Sequence, residues 1–148
     1  MKLTKFLIKA KIATYASRGE TNQSFIDDNF KELTYHDNEY KYLDRYYGFN
    51  PFSGNEIIWE NDNIIWSMNY FGKVYSNNIS CEKVYEFLQS ALRQVKEDRP
   101  FRGPNYFKMS DFEYIDESVG DIIEFTGVER ILYKEYEIYR LNYHGGSM

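Results

Sequence analysis

The chain has 148 residues, the size of one ordinary domain, and its 43% hydrophobic and 28% charged residues argue against disorder. The formal net charge is -5, so the chain offers little of the clustered basic surface that binding to nucleic acid requires. No apolar run approaches the roughly 18 residues that a membrane-spanning helix needs, which excludes such a helix.

The predicted first element is a helix near Leu3–Ala16, with its apolar side chains on one face. That face comprises Phe6, Leu7, Ala10 and Ala13. The basic residues of this region are Lys2, Lys5, Lys9, Lys11 and Arg18. We interpret them as a solvated face rather than a nucleic-acid site, and they interrupt the apolar residues too often for a signal peptide. A polar, aperiodic loop is expected over Arg18–Asn29.

Three strands are predicted next, because side chains alternate between the two faces of a strand and similar residues recur here at every second position. The three faces are Tyr40, Tyr42 and Asp44; Phe52, Gly54, Glu56 and Ile58; and Trp66, Met68 and Tyr70. Asn61-Asp62-Asn63 has the composition of a turn, which makes the second and third strands a hairpin.

A second amphipathic helix is predicted after Ser80, which is a good N-cap and is followed by Glu82 in the first turn. Its apolar stripe consists of Val84, Phe87, Leu88, Ala91, Leu92 and Val95. Pro100 and Gly103-Pro104 end it. Cys81 is the only cysteine, so an internal disulfide is impossible and we expect a reducing, cytoplasmic location.

Motifs of the first half of the chain recur in the second half. The first-half motifs are Phe52-x-Gly54-x-Glu56-x-Ile58 and Trp66-x-Met68-Asn69-Tyr70-x-Gly72. They recur 73 positions later as Phe125-x-Gly127-x-Glu129-x-Ile131 and Tyr139-x-Leu141-Asn142-Tyr143-x-Gly145. Offsets of 72 and 81 relate Tyr40-x-Tyr42-x-Asp44 to Phe112-x-Tyr114-x-Asp116 and Phe6-Leu7 to Phe87-Leu88. We infer an internal duplication, with repeats of about 1–75 and 76–148 in a single domain.

Each repeat is predicted to be one helix followed by three strands, αβββ, which gives an α+β fold built on antiparallel sheet. The aromatic content of 19%, with 15 Tyr, also favours β structure. We expect a pseudo-two-fold axis between the repeats and both helices on one side of the sheet. In the second repeat the last turn is expected around Lys134–Glu137. A parallel α/β fold would need a helix between successive strands, which this chain lacks.

Several spaced motifs together indicate a resemblance to a known family. They are the N-terminal helix, Tyr40-x-Tyr42-x-Asp44, Phe52-x-Gly54-x-Glu56, Trp66-x-Met68-Asn69-Tyr70-x-Gly72, Pro100-Phe101-Arg102-Gly103-Pro104 and Tyr143-His144-Gly145-Gly146. With these motifs the chain resembles a bacterial family called domain of unknown function 5680. Its members occur as stand-alone small proteins and behind helix-turn-helix segments of the XRE regulator class. The resemblance implies a sensor or oligomerisation module and supplies no catalytic residues.

Glu56 and Glu129 are the acids most suited to a functional role, since each lies on an apolar strand face where a carboxylate needs a partner. They could form a pair across the axis that performs acid/base work or grips a cation. Alternatively, each accepts hydrogen bonds from tyrosine hydroxyls or backbone groups within its own repeat. We favour the structural interpretation.

Arg102 belongs to a segment without a counterpart in the first half, and its permanent charge suits a carboxylate or a phosphate. A ligand role and an ion pair with Glu56, Glu129 or Asp116 are both open. Gly54 and Gly127 are expected to allow a close approach or a bulge.

Tyrosines and asparagines complete the candidate site. Tyr42, Tyr70, Tyr114 and Tyr143 could line a pocket that stacks a planar ligand. Asn69 and Asn142 suit turn caps better than ligand contacts.

Several kinds of chemistry have no support in the sequence. No phosphate-binding glycine loop is present, and no cofactor is expected. Two His and one Cys do not suggest zinc, and no Ser or Cys nucleophile has a recognisable signature. We expect a cytoplasmic small-molecule binding or sensor domain with its pocket between the repeats. The alternatives are a protein–protein interaction or homodimerisation module, and an enzyme that uses Glu56 or Glu129 with Arg102.

Overall fold

The computed structural model describes residues 2–17, 23–25 and 29–148. This part of the chain contains two α-helices, a short 3₁₀ helix and nine strands. The helices are α1 (Leu3–Ala13) and α2 (Cys81–Leu92), and the 3₁₀ helix spans Tyr15–Ser17. The strands are β1 (Gln23–Phe25), β2 (Lys31–Asp37), β3 (Tyr40–Gly48), β4 (Phe52–Glu60), β5 (Asn63–Val74), β6 (Tyr106–Met109), β7 (Phe112–Gly120), β8 (Glu124–Tyr133) and β9 (Tyr136–Ser147).

All the strands form one antiparallel sheet in the order β1-β2-β3-β4-β5-β9-β8-β7-β6. Within each half of the chain the neighbouring strands follow one another in sequence, and the two halves meet where β5 pairs with β9. Tyr70 lies opposite Tyr143 in the middle of that contact. The prediction of an α+β protein with antiparallel sheet is therefore confirmed.

Each half contains more strands than the three predicted, so the αβββ description is wrong in detail. β2 pairs with β3 and β6 pairs with β7, which adds a strand to each half. Neither shows an apolar alternation, because β2 buries only Leu33 and β6 is an edge strand of four residues. β1 falls inside the predicted loop Arg18–Asn29; residues 18–22 and 26–28 of that loop lie outside the described residues.

Both predicted hairpins are confirmed at their turns. The turn between β4 and β5 places Asn61 and Asp62 at positive φ, a conformation that Asn and Asp tolerate better than most residues. The turn between β8 and β9 places Lys134 and Glu135 there, although their side chains give no such signal.

Both helices end earlier than predicted. α2 ends at Leu92, before Val95 of the predicted stripe and well before Pro100, because the next N–H groups, of Gln94 and Val95, bond to carbonyls three residues back. The Ser80 hydroxyl accepts a hydrogen bond from the Lys83 N–H at 3.3 Å, which confirms the predicted N-cap of α2. α1 ends at Ala13, three residues earlier than predicted, and the Thr14 hydroxyl donates to the Ala10 carbonyl at 2.7 Å.

Both helices cover the same face of the sheet. A continuous apolar core lies between the helices and this face. The helix residues Phe6, Leu7, Phe87 and Leu88 join this core. Alternate residues of β3, β4 and β5 point into it, while Asn69, Phe71 and Lys73 are exposed on the opposite face. Every polar side chain that points toward the helices must therefore find its hydrogen-bond or ionic partner inside the protein.

Candidate functional site

Four carboxylates lie on the covered face of the sheet. Asp44 on β3 is directly opposite Glu56 on β4, and Asp116 on β7 is directly opposite Glu129 on β8. None is more than 4% exposed. A buried carboxylate is costly unless hydrogen bonds and a cation compensate for the lost water, so the partners of each one decide what it does.

Glu129 is fully satisfied by its own half of the chain. Arg102 donates two hydrogen bonds to the Glu129 carboxylate, from Nε to Oε2 at 3.1 Å and from Nη2 to Oε1 at 3.0 Å. The hydroxyls of Tyr114 and Tyr139 donate to it at 2.5 and 2.8 Å. Such a two-pronged pair fixes the position of the guanidinium as well as its charge. Of the two predicted roles for Arg102, the structure shows the ion pair with Glu129.

Glu56 takes its cation from the first helix. Lys11 Nζ lies 2.5 Å from Glu56 Oε2, and both side chains are buried. Burial lowers the pKa of Lys11, and the nearby Glu56 carboxylate opposes this effect. The interpretation of Lys11 as part of a solvated helix face is therefore wrong, because its ammonium points inward to a carboxylate 45 residues away in sequence.

Asp44 and Asp116 each accept a hydrogen bond from a tyrosine on a strand two places away. Tyr70 donates to Asp44 Oδ1 at 2.5 Å, and Tyr143 donates to Asp116 Oδ1 at 2.9 Å. The tyrosine rings cross the strand between them at Gly54 and Gly127.

These two glycines are required for that crossing. A Cβ atom at Gly54 would lie 2.4 Å from the Tyr70 hydroxyl oxygen, and one at Gly127 would lie 2.0 Å from Cζ of Tyr143. The expected close approach at both positions is therefore present. The register shifts in these hairpins occur elsewhere, next to Ile58 and Ile131.

The two aspartates share a raised pKa but differ in their cations. Burial, reinforced by the neighbouring glutamate, raises the pKa of Asp44 and of Asp116 to about 7. Asp116 Oδ2 has Arg99 Nη2 at 3.7 Å. Asp44 forms no ion pair with any residue that the structure describes. Of the four buried carboxylates, it is the one left without a cation in this part of the chain.

A cavity of about 180 Å³, which we call the Asp44 cavity, opens beside this carboxylate. It lies between α2 and strands β3–β5, and its lining includes Asp44, Arg102, Phe49, Phe52, Tyr70 and Tyr85. The Arg102 guanidinium lies 5.5 Å from the centre of the Tyr70 ring. A smaller cavity of about 20 Å³, lined by Lys11, Glu56 and Tyr42, shares Asp44 and Arg102 with it.

The structure brings some of the sequence-derived site residues together and separates others. Tyr42 lies beside Glu56 and Asp44, and burial and these carboxylates raise its pKa well above its ordinary value. Asn69 and Asn142 lie inside β5 and β9 and are exposed on the opposite face of the sheet, so the expectation that they cap turns is wrong. There Asn69 accepts a hydrogen bond from Asn55 Nδ2 at 2.8 Å.

Sequence reasoning overlooked part of the cavity. Asp44 shares a strand face with Tyr40 and Tyr42, so the same alternation that selected Glu56 could have selected it. Tyr85 gives no comparable signal, because on the α2 helix it lies beside the apolar stripe rather than in it.

Most of the chain, including most of this site, matches a known protein family. A family model described as domain of unknown function (DUF5680) matches residues 44–148, more than half of the chain. The chain belongs to this family. The match includes all four buried carboxylates of the site and Arg102, whereas α1 with Lys11 precedes it.

No further relative, membrane-spanning helix or group of metal ligands is found for the described part of the chain. Comparison with curated proteins and with solved structures finds no match. Across residues 2–17, 23–25 and 29–148, no helix is both long and apolar enough to cross a membrane. Among these same residues, no three His, Cys, Asp or Glu side chains are grouped as metal ligands.

Proposed function

We propose that this DUF5680 protein binds a small organic molecule in the Asp44 cavity. The observation behind the proposal is a cavity of about 180 Å³ in which a buried carboxylate and a buried guanidinium are surrounded by aromatic rings. Ligand sites in proteins are concave and mostly apolar, with a few polar groups that fix orientation. A cavity of about 150 Å³ can hold a benzene molecule, so this one has room for a single ring with a short substituent.

Both halves of the chain contribute to the cavity. Asp44, Phe52 and Tyr70 come from the first half, and Tyr85 and Arg102 come from the second. Arg102 is held rigidly by Glu129, so the glutamate serves the site by positioning its cation. In this proposal Glu56 and Glu129 anchor Lys11 and Arg102, and neither needs to act on a substrate.

We also propose that the two halves arose by duplication and are related by a pseudo-two-fold axis. The carboxylate pairs support this, because Asp44–Glu56 recurs as Asp116–Glu129 in the same cross-strand register. Tyr70 lies opposite Tyr143, the residue 73 positions later, at the centre of the contact between the halves. A two-fold axis between β5 and β9 would require this pairing.

A binding measurement on a matched pair of variants tests the ligand site. The probes are single-ring compounds of different charge: phenol, 2-phenylethylamine and 3-phenylpropanoate. At least one should raise the melting temperature, because a ligand that binds only the folded state stabilises it. Phe52→Leu should weaken its binding about tenfold, because it removes a ring wall of the cavity.

Phe125→Leu is the control for this measurement. Phe125 is buried like Phe52 and occupies the equivalent motif position, but it does not line the Asp44 cavity. It should leave probe affinity unchanged. Equal loss of affinity in both variants, or no binding by any probe, would refute the proposed site.

A further inference from the structure

In the second half of the chain, the residues that correspond to Phe52, Tyr70 and Asp44 are contacted by the protein's own segment Arg99–Phe101. The ring of Phe101 stacks on Phe125 with centroids 4.2 Å apart and lies 6.3 Å from Tyr143. Arg99 Nη2 lies 3.7 Å from Asp116 Oδ2 and donates to the Ser118 hydroxyl at 3.0 Å. The segment Arg99–Phe101 therefore supplies an aromatic ring and a cation to one site.

The groups that this segment covers correspond to the walls of the Asp44 cavity. Phe125, Tyr143 and Asp116 stand at the motif positions of Phe52, Tyr70 and Asp44. They also have the same strand pairing: each phenylalanine lies opposite a glycine, and each aspartate lies opposite a glutamate. The segment Arg99–Phe101 thus shows that an aromatic ring and a cation fit against this arrangement of side chains.

The ion pairs around the Asp44 cavity also indicate that Asp44 needs a cation. Lys11 is paired with Glu56, and Arg102 is paired with Glu129. Lys31 also lines the cavity, where its ammonium lies 5.6 Å from the centre of the Tyr46 ring. Asp44 has no cation of its own among the described residues, whereas Asp116 has Arg99. A bound cation would pair with Asp44 as Arg99 pairs with Asp116.

We propose that the Asp44 cavity binds an aromatic cation, a single ring attached to an amine, amidine or guanidine group. The ring would lie against Phe52, as Phe101 lies against Phe125, and the cation would pair with Asp44, as Arg99 pairs with Asp116. This assignment rests on the proposed function, since it specifies the ligand of the same cavity.

Three probes with the same ring and different charge test the assignment on the unmodified protein. They are 2-phenylethylamine, 2-phenylethanol and 3-phenylpropanoate, each titrated by calorimetry at pH 8. The amine should bind at least about tenfold more tightly than the alcohol, because a charge-assisted contact to a buried carboxylate is stronger than a neutral one. Equal or tighter binding of the alcohol or the propanoate overturns the assignment but leaves the ligand site standing. No binding by any probe overturns both.

The pH dependence gives a second readout. Burial raises the pKa of Asp44 to about 7, so its ionised form, which attracts a cation, dominates only above that pH. Amine affinity should therefore rise between pH 6 and pH 8, while alcohol affinity should change little. The charged and titratable groups that line these cavities with Asp44 or act on its pKa are Lys11, Tyr15, Lys31, Tyr42, Tyr46, Glu56, Tyr70, Tyr85 and Arg102. Amine affinity that falls over this range contradicts the assignment.

Variants separate Asp44 from its counterpart. Asp44→Asn should remove both the preference for the amine and its pH dependence, whereas Asp116→Asn should preserve them. If Asp44→Asn fails to fold, the probe series on the unmodified protein still decides the question.

A third variant, Arg18→Gln, tests whether the chain provides its own cation for Asp44. Arg18, outside the described residues, stands 81 positions before Arg99 in sequence, the offset that relates the first helix motif to the second. Amine binding seen in the unmodified protein supports the proposal. Amine binding that appears only in Arg18→Gln means that the chain provides its own cation, and this overturns the proposal.

Discussion

At the residue scale, the two buried glutamates are paired with chemically different cations. Arginine keeps its proton under all ordinary conditions, whereas a buried lysine can lose its proton and become neutral. Burial would lower the pKa of Arg102, but the Glu129 carboxylate together with Tyr139 and Tyr114 outweighs burial and raises this pKa well above its ordinary value. For Lys11 burial prevails, and its pKa is lowered. The consequences of removing each glutamate should therefore differ.

Glu129→Gln should destabilise the protein more than Glu56→Gln. Without the carboxylate, Arg102 is a buried charge that cannot be neutralised, and breaking such a pair costs about 3–5 kcal/mol of unfolding free energy. Lys11 can release its proton, so Glu56→Gln should cost about 1–3 kcal/mol, the effect of mismatched buried hydrogen bonds. Urea denaturation at pH 7 measures both values.

Glu117→Gln is the control for these two substitutions. The Glu117 side chain is 71% exposed and pairs with Arg130 at the surface, where an ion pair contributes little. Its loss should change stability by no more than about 0.5 kcal/mol. Equal effects of the two buried substitutions would show that the identity of the cation does not matter.

At the element scale, the matching glycines of β4 and β8 let a tyrosine from the next strand cross to an aspartate. Gly127→Ala should therefore destabilise the protein by about 1–3 kcal/mol, because the new Cβ would lie 2.0 Å from Cζ of Tyr143 and the ring must move. The displaced Tyr143 hydroxyl would also leave Asp116 without its hydrogen bond. Thermal and urea denaturation measure the loss.

The same substitution in a second background identifies the cause. In a Tyr143→Ala protein the ring is absent, so Gly127→Ala should be neutral or slightly stabilising, because alanine loses less conformational freedom than glycine on folding. A loss of stability that is the same in both backgrounds would attribute the effect to the backbone of β8 and not to the crossing ring.

The elements that the sequence predicts well are those with a strong local pattern. α2 has a cap and an apolar stripe, and β4 and β5 alternate clearly, so their positions and buried faces follow from the residues alone. β2 and β6 lie toward the edges of the sheet and lack such alternation, so they are missed. The ion pair of Lys11 depends on a carboxylate 45 residues away, and no local pattern indicates it.

At the scale of the whole molecule, one sheet and one core connect the two halves. Ring contacts cross the boundary: among them, Phe52 packs against Tyr139 at 6.4 Å, and Trp66 packs against Phe125 at 5.6 Å. α2 is linked to the 3₁₀ helix of the first half as well, because Arg93 at the C-cap of α2 donates a hydrogen bond to the Ala16 carbonyl at 2.6 Å. Neither half encloses its aromatic side chains without the other, which favours a single cooperative folding unit.

Disruption of one boundary contact should therefore lower the stability of both halves equally. Trp66→Ala removes a fully buried ring and should cost about 3–5 kcal/mol. Hydrogen exchange should show that the slowest amides of β3–β4 and of β7–β8 lose the same amount of protection, because both are exposed only by global unfolding. Tyr136→Ala, at a side chain that is 78% exposed, should leave both sets unchanged. A loss confined to β3–β4 would instead show that the halves unfold separately, and that the shared sheet does not couple them.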